Sequence, residues 1–152
     1  MTTTTTMAEV PGLVGQELGT SDWLEVTQER VDTFAEATGD HQWIHVDVER
    51  ATAESPYGGP IAHGYLTLSL VVPLLEQVLV VTDTAMGVNY GLDRVRYPSH
   101  VPVGSRVRLT ATLKDVKPFD GGLQLTLAVV VEREGGDKPV CVAEPVYRYY
   151  GR

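Results

Sequence analysis

The chain has 152 residues, a formal net charge of −8, a hydrophobic fraction of 43% and one cysteine. This length is typical of one domain with its own core, and the acidic balance argues against general nucleic-acid binding. A single cysteine excludes an internal disulfide and a multi-cysteine metal site, and favours a reduced, cytoplasmic setting.

The N-terminal segment is rich in threonine and of low complexity. We therefore expect residues 1–10 to form a disordered tail and residues 11–152 a single domain. The tail lacks the basic and apolar regions of a secretory signal. The longest apolar run, residues 66–81, is interrupted at Pro73, Glu76 and Gln77, which favours a buried helix over a membrane span.

The first predicted helix follows Thr27, a suitable N-cap residue. Apolar and small residues then recur at helical spacing up to Thr38, and Gly39 is able to end the helix in the left-handed conformation. Residues 40–45 are consequently expected to form a loop. Asp47 is placed to cap a short second helix over residues 48–52.

A third helix is predicted over residues 63–80, and it is apolar on nearly every side. Such a helix is buried on most of its faces. Pro73 must kink it or start a second helix, because proline lacks an N–H group and clashes with the preceding turn.

The second half of the chain has the period-two alternation of strands bounded by turn glycines, which indicates an antiparallel meander with one buried face. That face needs a cover, and the apolar helix is the only candidate. We therefore predict an α+β fold, a curved antiparallel sheet wrapped around one central helix. The predicted strands cover residues 88–97, 106–114, 123–131 and 140–150.

Asp40 and His45 lie five residues apart, directly after the glycine that ends the first helix. A loop of this length lets a carboxylate and an imidazole converge on one point, and histidine is the natural acid–base group near neutral pH. The alternative is structural: Asp40 caps a turn, and His45 is an ordinary loop residue.

His63 and Gly64 open the central helix. Helix N-termini carry unpaired N–H groups, so the Gly64 amide is a candidate donor to a carbonyl oxygen that gains charge. The alternative is that this glycine only permits close packing. Together with Asp40 and His45, the amide suits the addition or removal of water beside a polarised carbonyl.

Other site chemistries are weaker. His41 and His45 have ligand spacing for a helix, with Asp47 and His63 nearby, but Gly39 places the pair in a loop, so no metal site is predicted. Cys141 lies in a predicted strand with no histidine close to it, and the sequence has no Gly-x-Ser-x-Gly elbow and no phosphate-binding glycine motif.

Three stretches of the chain together resemble a known family. They are residues 34–47, Pro60-Ile61-Ala62-His63-Gly64, and residues 89–104, and the likeness covers roughly residues 12–150. The pattern is similar to the MaoC-like, (R)-specific enoyl-CoA hydratases of the hotdog fold, in an actinobacterial single-domain form. Two departures are that Gln42-Trp43 replace Asn-Pro, and that Val72 stands where some members have serine.

The resemblance implies (R)-specific hydration of trans-2-enoyl-CoA thioesters, with Asp40 and His45 as the catalytic pair and Gly64 as the carbonyl-binding amide. It implies no metal and no separate cofactor, since coenzyme A is part of the substrate; an acyl carrier thioester is the other substrate form. It also implies a cytoplasmic homodimer that binds neither membrane nor nucleic acid. The expected substrate contacts are Trp43, His63, Tyr65, Leu66, Asn89, Arg94 and Arg96.

The coenzyme A phosphates are expected to meet some of Arg94, Arg96, Arg106 and Lys117. Residues 90–120 carry six basic and three acidic side chains in an otherwise acidic protein. A solvated strand face is the plainer interpretation of any one of these cations.

Two rival functions remain open. An acyl-CoA thioesterase of the hotdog fold needs a carboxylate near the central helix, and Glu76 is the only acid there, about three turns beyond His63. A non-catalytic acyl-CoA-binding protein needs no acid–base pair, so the intact Asp40, His45 and Gly64 argue against it.

Overall fold

The computed structural model describes all 152 residues, from Met1 to Arg152. Its helices are α1 (Gln28–Thr38), α2 (Trp43–Val46), α3 (Val48–Glu54), α4 (Gly64–Ser69) and α5 (Val71–Glu76), with a 3-10 turn at Val10–Leu13. Its strands are β1 (Thr3–Thr5), β2 (Glu17–Thr20), β3 (Leu24–Glu25), β4 (Leu79–Val81), β5 (Thr84–Arg96), β6 (Arg106–Phe119), β7 (Gly122–Arg133) and β8 (Cys141–Gly151).

The main sheet is antiparallel, in the order β2-β6-β7-β8-β5, and β3 also pairs with β6. Alternate residues of the long strands point inward, and Leu109, Ala111, Leu127 and Val129 are fully buried. Each fully buried leucine or valine contributes about 1.5–3 kcal/mol. The period-two pattern therefore forms one face of the core, as predicted.

The central helix is divided into two. α4 ends at Ser69 and α5 begins at Val71. Pro73 explains the break, because its ring clashes with the carbonyl group of Ser69 and it offers no N–H group. Helix and sheet share one core, so the predicted α+β architecture is confirmed. The helix ends at Glu76 rather than near residue 80, since the following apolar residues form β4.

The N-terminal segment is ordered, and the prediction of a disordered tail over residues 1–10 is wrong. β1 pairs in parallel with β4, with Thr3 opposite Leu79. The Met7 N–H donates to Asp83 Oδ1 at 2.8 Å. Threonine is β-branched and suits a strand. The strand that pairs with β1 lies about 76 residues away, so the local composition does not reveal the pairing.

The segment from α1 to α3 is held by its predicted caps. The Thr27 side chain accepts from the Arg30 N–H, and the Asp47 side chain accepts from the Arg50 N–H at 3.1 Å. Ile61 follows α3, and its N–H donates to the Ile44 carbonyl at 3.0 Å, which links the end of this segment to α2. The segment thus reaches the central helix through a short, hydrogen-bonded connection.

Cys141 is fully buried at the start of β8. Burial raises the pKa of its thiol to about 11, so the nucleophilic thiolate is scarce near neutral pH. This agrees with its exclusion as a nucleophile. None of the helices has both the length and the apolar character needed to span a membrane.

Candidate active site

Asp40 leaves the end of α1 in a defined direction. Gly39 takes a φ of 83°, and its N–H donates to the Ala35 carbonyl, which ends the helix as predicted. The Asp40 N–H donates to Thr38 Oγ1 at 3.3 Å, and one carboxylate oxygen of Asp40 accepts from the Gln42 N–H at 3.4 Å. The carboxylate itself is exposed, and so is able to hold a water molecule.

His45 lies on the one-turn helix α2, not in the loop that the sequence predicted. Its side chain is only 6% exposed. Nδ1 is 2.7 Å from the Ile61 carbonyl oxygen. Because a carbonyl only accepts, Nδ1 carries the hydrogen and Nε2 presents its lone pair.

Burial is the main cause of a lowered pKa at His45, reinforced by the neighbouring His63. The hydrogen bond to Ile61 and the charge of Asp40 act in the opposite direction but do not outweigh it. The ring is therefore a free base at neutral pH, the state that a proton acceptor needs.

His63 brings the pair together. Its ring stacks on His45, with centroids 3.9 Å apart and an angle of 24° between the planes. Its Nε2 is 3.0 Å from the main-chain carbonyl oxygen of Asp40. A carboxylate oxygen of Asp40 and one nitrogen from each ring lie within 4.8 Å of one another. Polar atoms at this separation are able to share one water molecule.

The same three residues are metal ligands by type, but their arrangement is unfavourable for a metal. Nearly parallel, stacked rings direct their in-plane lone pairs side by side, whereas a zinc ion needs both nitrogens to point at one centre about 2.0–2.1 Å away. Two of the four ring nitrogens also face carbonyl oxygens. The arrangement suits acid–base chemistry better than ligation.

Gly64 is the first residue of α4, and its N–H donates to no group in the protein. A Cβ atom at this position would lie 3.3 Å from the ring of Tyr97, so glycine gives this aromatic side chain room beside the amide. α4 has only six residues, so its dipole is small, and the unpaired amide itself is the relevant donor.

One cavity of about 510 Å³ contains both His45 and Gly64. Tyr97 forms part of its wall, and two basic side chains, His100 and Lys138, lie on its lining. The His45 ring and the unpaired Gly64 amide therefore line the same space, where a ligand of moderate size is able to reach both, whereas Asp40 is not among its lining residues. The remaining lining residues are Tyr57, Ile61, Ala62, Thr67, Pro98, Ser99, Val101 and Val140.

The other predicted substrate contacts are dispersed. Tyr65 is 72% exposed on α4, whereas Leu66 is buried in the core. Trp43 lies beneath the Arg50 guanidinium at 4.2 Å. Asn89 lines a separate groove of about 350 Å³ between α4–α5 and β5, with Leu68, Ser69 and Val72.

The predicted phosphate-binding cations do not line the cavity that contains His45. Arg106 pairs with Glu134, and Lys117 lies 3.9 Å from Asp115. Arg96 donates to the carbonyl of its neighbour Val95. Arg94 is likewise on β5 and outside that cavity.

No pattern in the sequence predicted Tyr97, His100 or Lys138 as site residues. Tyr97 carried a weak signal, since it stands before the proline that ends a strand and within the stretch that resembles the family. Lys138 follows β7 in a turn, about 90 residues from His45, and only the sheet topology brings it to the cavity.

Comparison with known proteins identifies the family of this chain. The MaoC like domain family matches residues 9–135. The chain is 49% identical over 150 residues to the 3-hydroxyacyl-thioester dehydratase Z of Mycobacterium tuberculosis, which covers 98% of this chain and 99% of that protein. It is 49% identical over 140 residues to nodulation protein N of Rhizobium leguminosarum bv. viciae, which covers 90% of this chain and 86% of that protein.

Among solved structures, the unliganded R-hydratase PhaJ1 from Pseudomonas aeruginosa has a TM-score of 0.74 at 21% identity, covering 91% of this chain and 83% of that chain. This likeness concerns the fold and confirms the hotdog arrangement. With a family match over most of its length and close relatives over nearly all of it, the chain belongs to the MaoC-like family and is a hydro-lyase of the hydratase/dehydratase type.

Proposed function

We propose that the protein adds water to trans-2-enoyl thioesters to give (3R)-hydroxyacyl thioesters, and catalyses the reverse dehydration. The observation that carries the proposal is the gap of at most 4.8 Å between the Asp40 carboxylate and the ring nitrogens, beside an unpaired amide at Gly64. The similarity to the M. tuberculosis 3-hydroxyacyl-thioester dehydratase Z supports it. The (R) stereochemistry rests on the family resemblance.

The mechanism begins with the Gly64 N–H donating to the thioester carbonyl oxygen, which draws electron density from C3. His45 Nε2 takes a proton from a water molecule that Asp40 also holds. The oxygen forms a bond to C3 as the C=C electron pair moves toward the thioester. The proton taken up by His45 is then passed through the Asp40 carboxylate to C2, which completes the addition of water and returns His45 to the free base. None of these steps requires a metal or a redox cofactor, and that independence stays a prediction.

The acyl tail is proposed to follow the groove between α4–α5 and β5, past Leu68 and Val72. Both side chains are apolar and belong to the helices that begin at Gly64. A tail bound at the amide is therefore able to continue along the same helical surface. Ser69 and Asn89 supply the polar part of this groove.

The carrier phosphates are proposed to meet Lys138 rather than Lys117. Lys138 is exposed, lines the cavity with His45 and forms no ion pair. We expect K138E to raise KM for crotonyl-CoA about tenfold, the equivalent of about 1.4 kcal/mol, and to leave KM for phosphate-free crotonyl-pantetheine unchanged. K117E is the matched control. A higher KM for crotonyl-CoA in K117E alone would favour the β6 cations instead.

A homodimer is proposed to form through β5, which pairs with β8 on one side only. Met86 and Tyr90 on this edge strand are 54% and 57% exposed. A long apolar edge is a template for pairing, and a second copy provides a complementary strand. We expect the double variant M86K/V88K to elute as a monomer in light-scattering chromatography. V130K, which alters an exposed valine of β7, should remain dimeric; a monomeric wild type would contradict the proposal.

The direct test of function follows the loss of conjugated-thioester absorbance when purified protein meets crotonyl-CoA, with chiral analysis of the product. We expect rapid hydration and (3R)-3-hydroxybutyryl-CoA. A free-thiol assay on the same samples separates the thioesterase alternative. Glu76, the carboxylate that a thioesterase would need, lies outside the cavity of His45 and Gly64. Thiol release without hydration, or tight binding without turnover, would refute the proposal.

A further inference from the structure

His63 adjoins both proposed catalytic side chains, since one of its ring nitrogens lies within 4.8 Å of a carboxylate oxygen of Asp40 and of a ring nitrogen of His45. Its side chain is only 2% exposed and does not line the cavity that contains His45 and Gly64. One face of its ring stacks on His45, and Phe34 packs against it with ring centroids 4.9 Å apart. The ring is therefore set back from the cavity, and it adjoins both catalytic side chains.

Only one of the two ring nitrogens of His63 has a hydrogen-bond partner. Nε2 faces the Asp40 carbonyl oxygen at 3.0 Å, so it must carry the hydrogen. Nδ1 is buried and has no hydrogen-bond partner. An unsatisfied buried nitrogen costs free energy, and a phenylalanine would fill the same space without that cost. Packing alone therefore does not explain a histidine here, whereas the Nε2–H bond to the catalytic loop does.

We propose that His63 is a positioning residue, whose Nε2–H fixes the main chain at Asp40 so that the carboxylate stays within water-bridging reach of His45. The bond joins the first residue before α4 to the loop after α1. Few other hydrogen bonds hold that loop, and the one that the Asp40 N–H donates is long, at 3.3 Å. His63 thus acts through Asp40. This inference rests on the proposed hydratase function.

Two substitutions separate the effect of ring stacking from the effect of the Nε2–H hydrogen bond. H63F keeps a flat ring for the stack and removes the Nε2–H donor, whereas H63Q places an amide N–H near the position of Nε2. We expect H63F to lower kcat for crotonyl-CoA about 10- to 100-fold, with KM within about threefold, because small misplacements of catalytic groups cost factors of this size. We expect H63Q to recover at least fivefold over H63F, although it lacks the stacked ring.

A double-mutant cycle tests the route of action. If His63 acts through Asp40, H63F in a D40N background should lower the residual rate less than twofold. An equal kcat for H63F and wild type, or full additivity of H63F with D40N, would overturn the proposal. The proposal would also be overturned if kcat fell equally in H63F and H63Q, in proportion to their decreases in melting temperature.

A readout without catalysis keeps the two proposals distinct. Hydrogen exchange of the peptide over residues 38–44 should be faster in H63F than in wild type, and close to wild type in H63Q. Unchanged exchange in H63F would refute the positioning role even in an active enzyme. Absence of hydration by the wild-type protein, with the exchange pattern as expected, would refute only the hydratase function. If H63F does not fold, H63N, whose shorter amide falls short of Asp40, replaces it.

Discussion

Replacement of Asp40 by Asn or of His45 by Gln is expected to lower kcat for crotonyl-CoA hydration by about 10² to 10⁴-fold, the usual contribution of a positioned acid or base. The asparagine side chain of D40N would still accept hydrogen bonds but would not exchange a proton, and the glutamine side chain of H45Q would offer no basic nitrogen. Stopped-flow or steady-state absorbance assays on folded variants give the comparison.

The neighbouring His41 provides a matched control. It is exposed, contacts Glu36 at 3.6 Å and is not one of the three polar side chains that converge at the site, which are Asp40, His45 and His63. H41Q should retain the wild-type rate and melting temperature. A D40N or H45Q protein that is folded and hydrates at near the wild-type rate would refute the assigned roles.

The pH profile supplies a second signature of the same pair. Since the pKa of His45 is lowered mainly by burial, the free base persists below pH 6.5, so the acidic limb of kcat/KM should lie below that value. Asp40 raises this pKa, and its removal lowers it further. The acidic limb of the residual activity in D40N should therefore move to lower pH; a move to higher pH would contradict the charge coupling.

The Gly64 amide is expected to contribute a comparable factor, and proline isolates it. G64P removes the N–H but suits the first position of a helix, where φ near −65° is required and the N–H is unpaired in any case. His63 has φ −62° and ψ 140°, the extended conformation that a residue before proline prefers.

G64A is the matched control, because it keeps the N–H while adding a Cβ atom 3.3 Å from Tyr97. We expect kcat of G64P to be about 10²–10³-fold below that of G64A, the loss typical of an oxyanion donor. Circular dichroism and melting temperatures establish that both fold. Equal kcat values for G64P and G64A would exclude the amide as the carbonyl donor.

The parts of the fold that could be predicted are those that depend on residues close together in the sequence. Alternation in β6 and β7, the caps at Thr27 and Asp47, and the left-handed Gly39 each depend on neighbours within a few residues. β1 was missed because its partner β4 is distant in the chain. The end of α5 was missed because an apolar run suits a buried helix and a strand equally.

The residues of the candidate site could be proposed from the sequence, but their arrangement could not. Asp40, His45 and Gly64 carried chemical signals of their own. The hydrogen bond from His45 to Ile61, which fixes its tautomer, joins residues 16 apart, and the cavity adds Lys138 from the far end of β7. Such contacts depend on how separate elements meet, which local periodicity does not encode.

The division of the central helix at Leu70 places Val72 on a different helix from the Gly64 amide. α4 opens with the Gly64 amide, whereas Val72 on α5 lies along the proposed path of the tail. Side-chain changes beyond the break are thus able to retune which chain lengths fit without disturbing bond-making atoms. If the tail follows the proposed path, substitutions at Val72 are expected to change the preferred chain length while leaving the reacting groups in place.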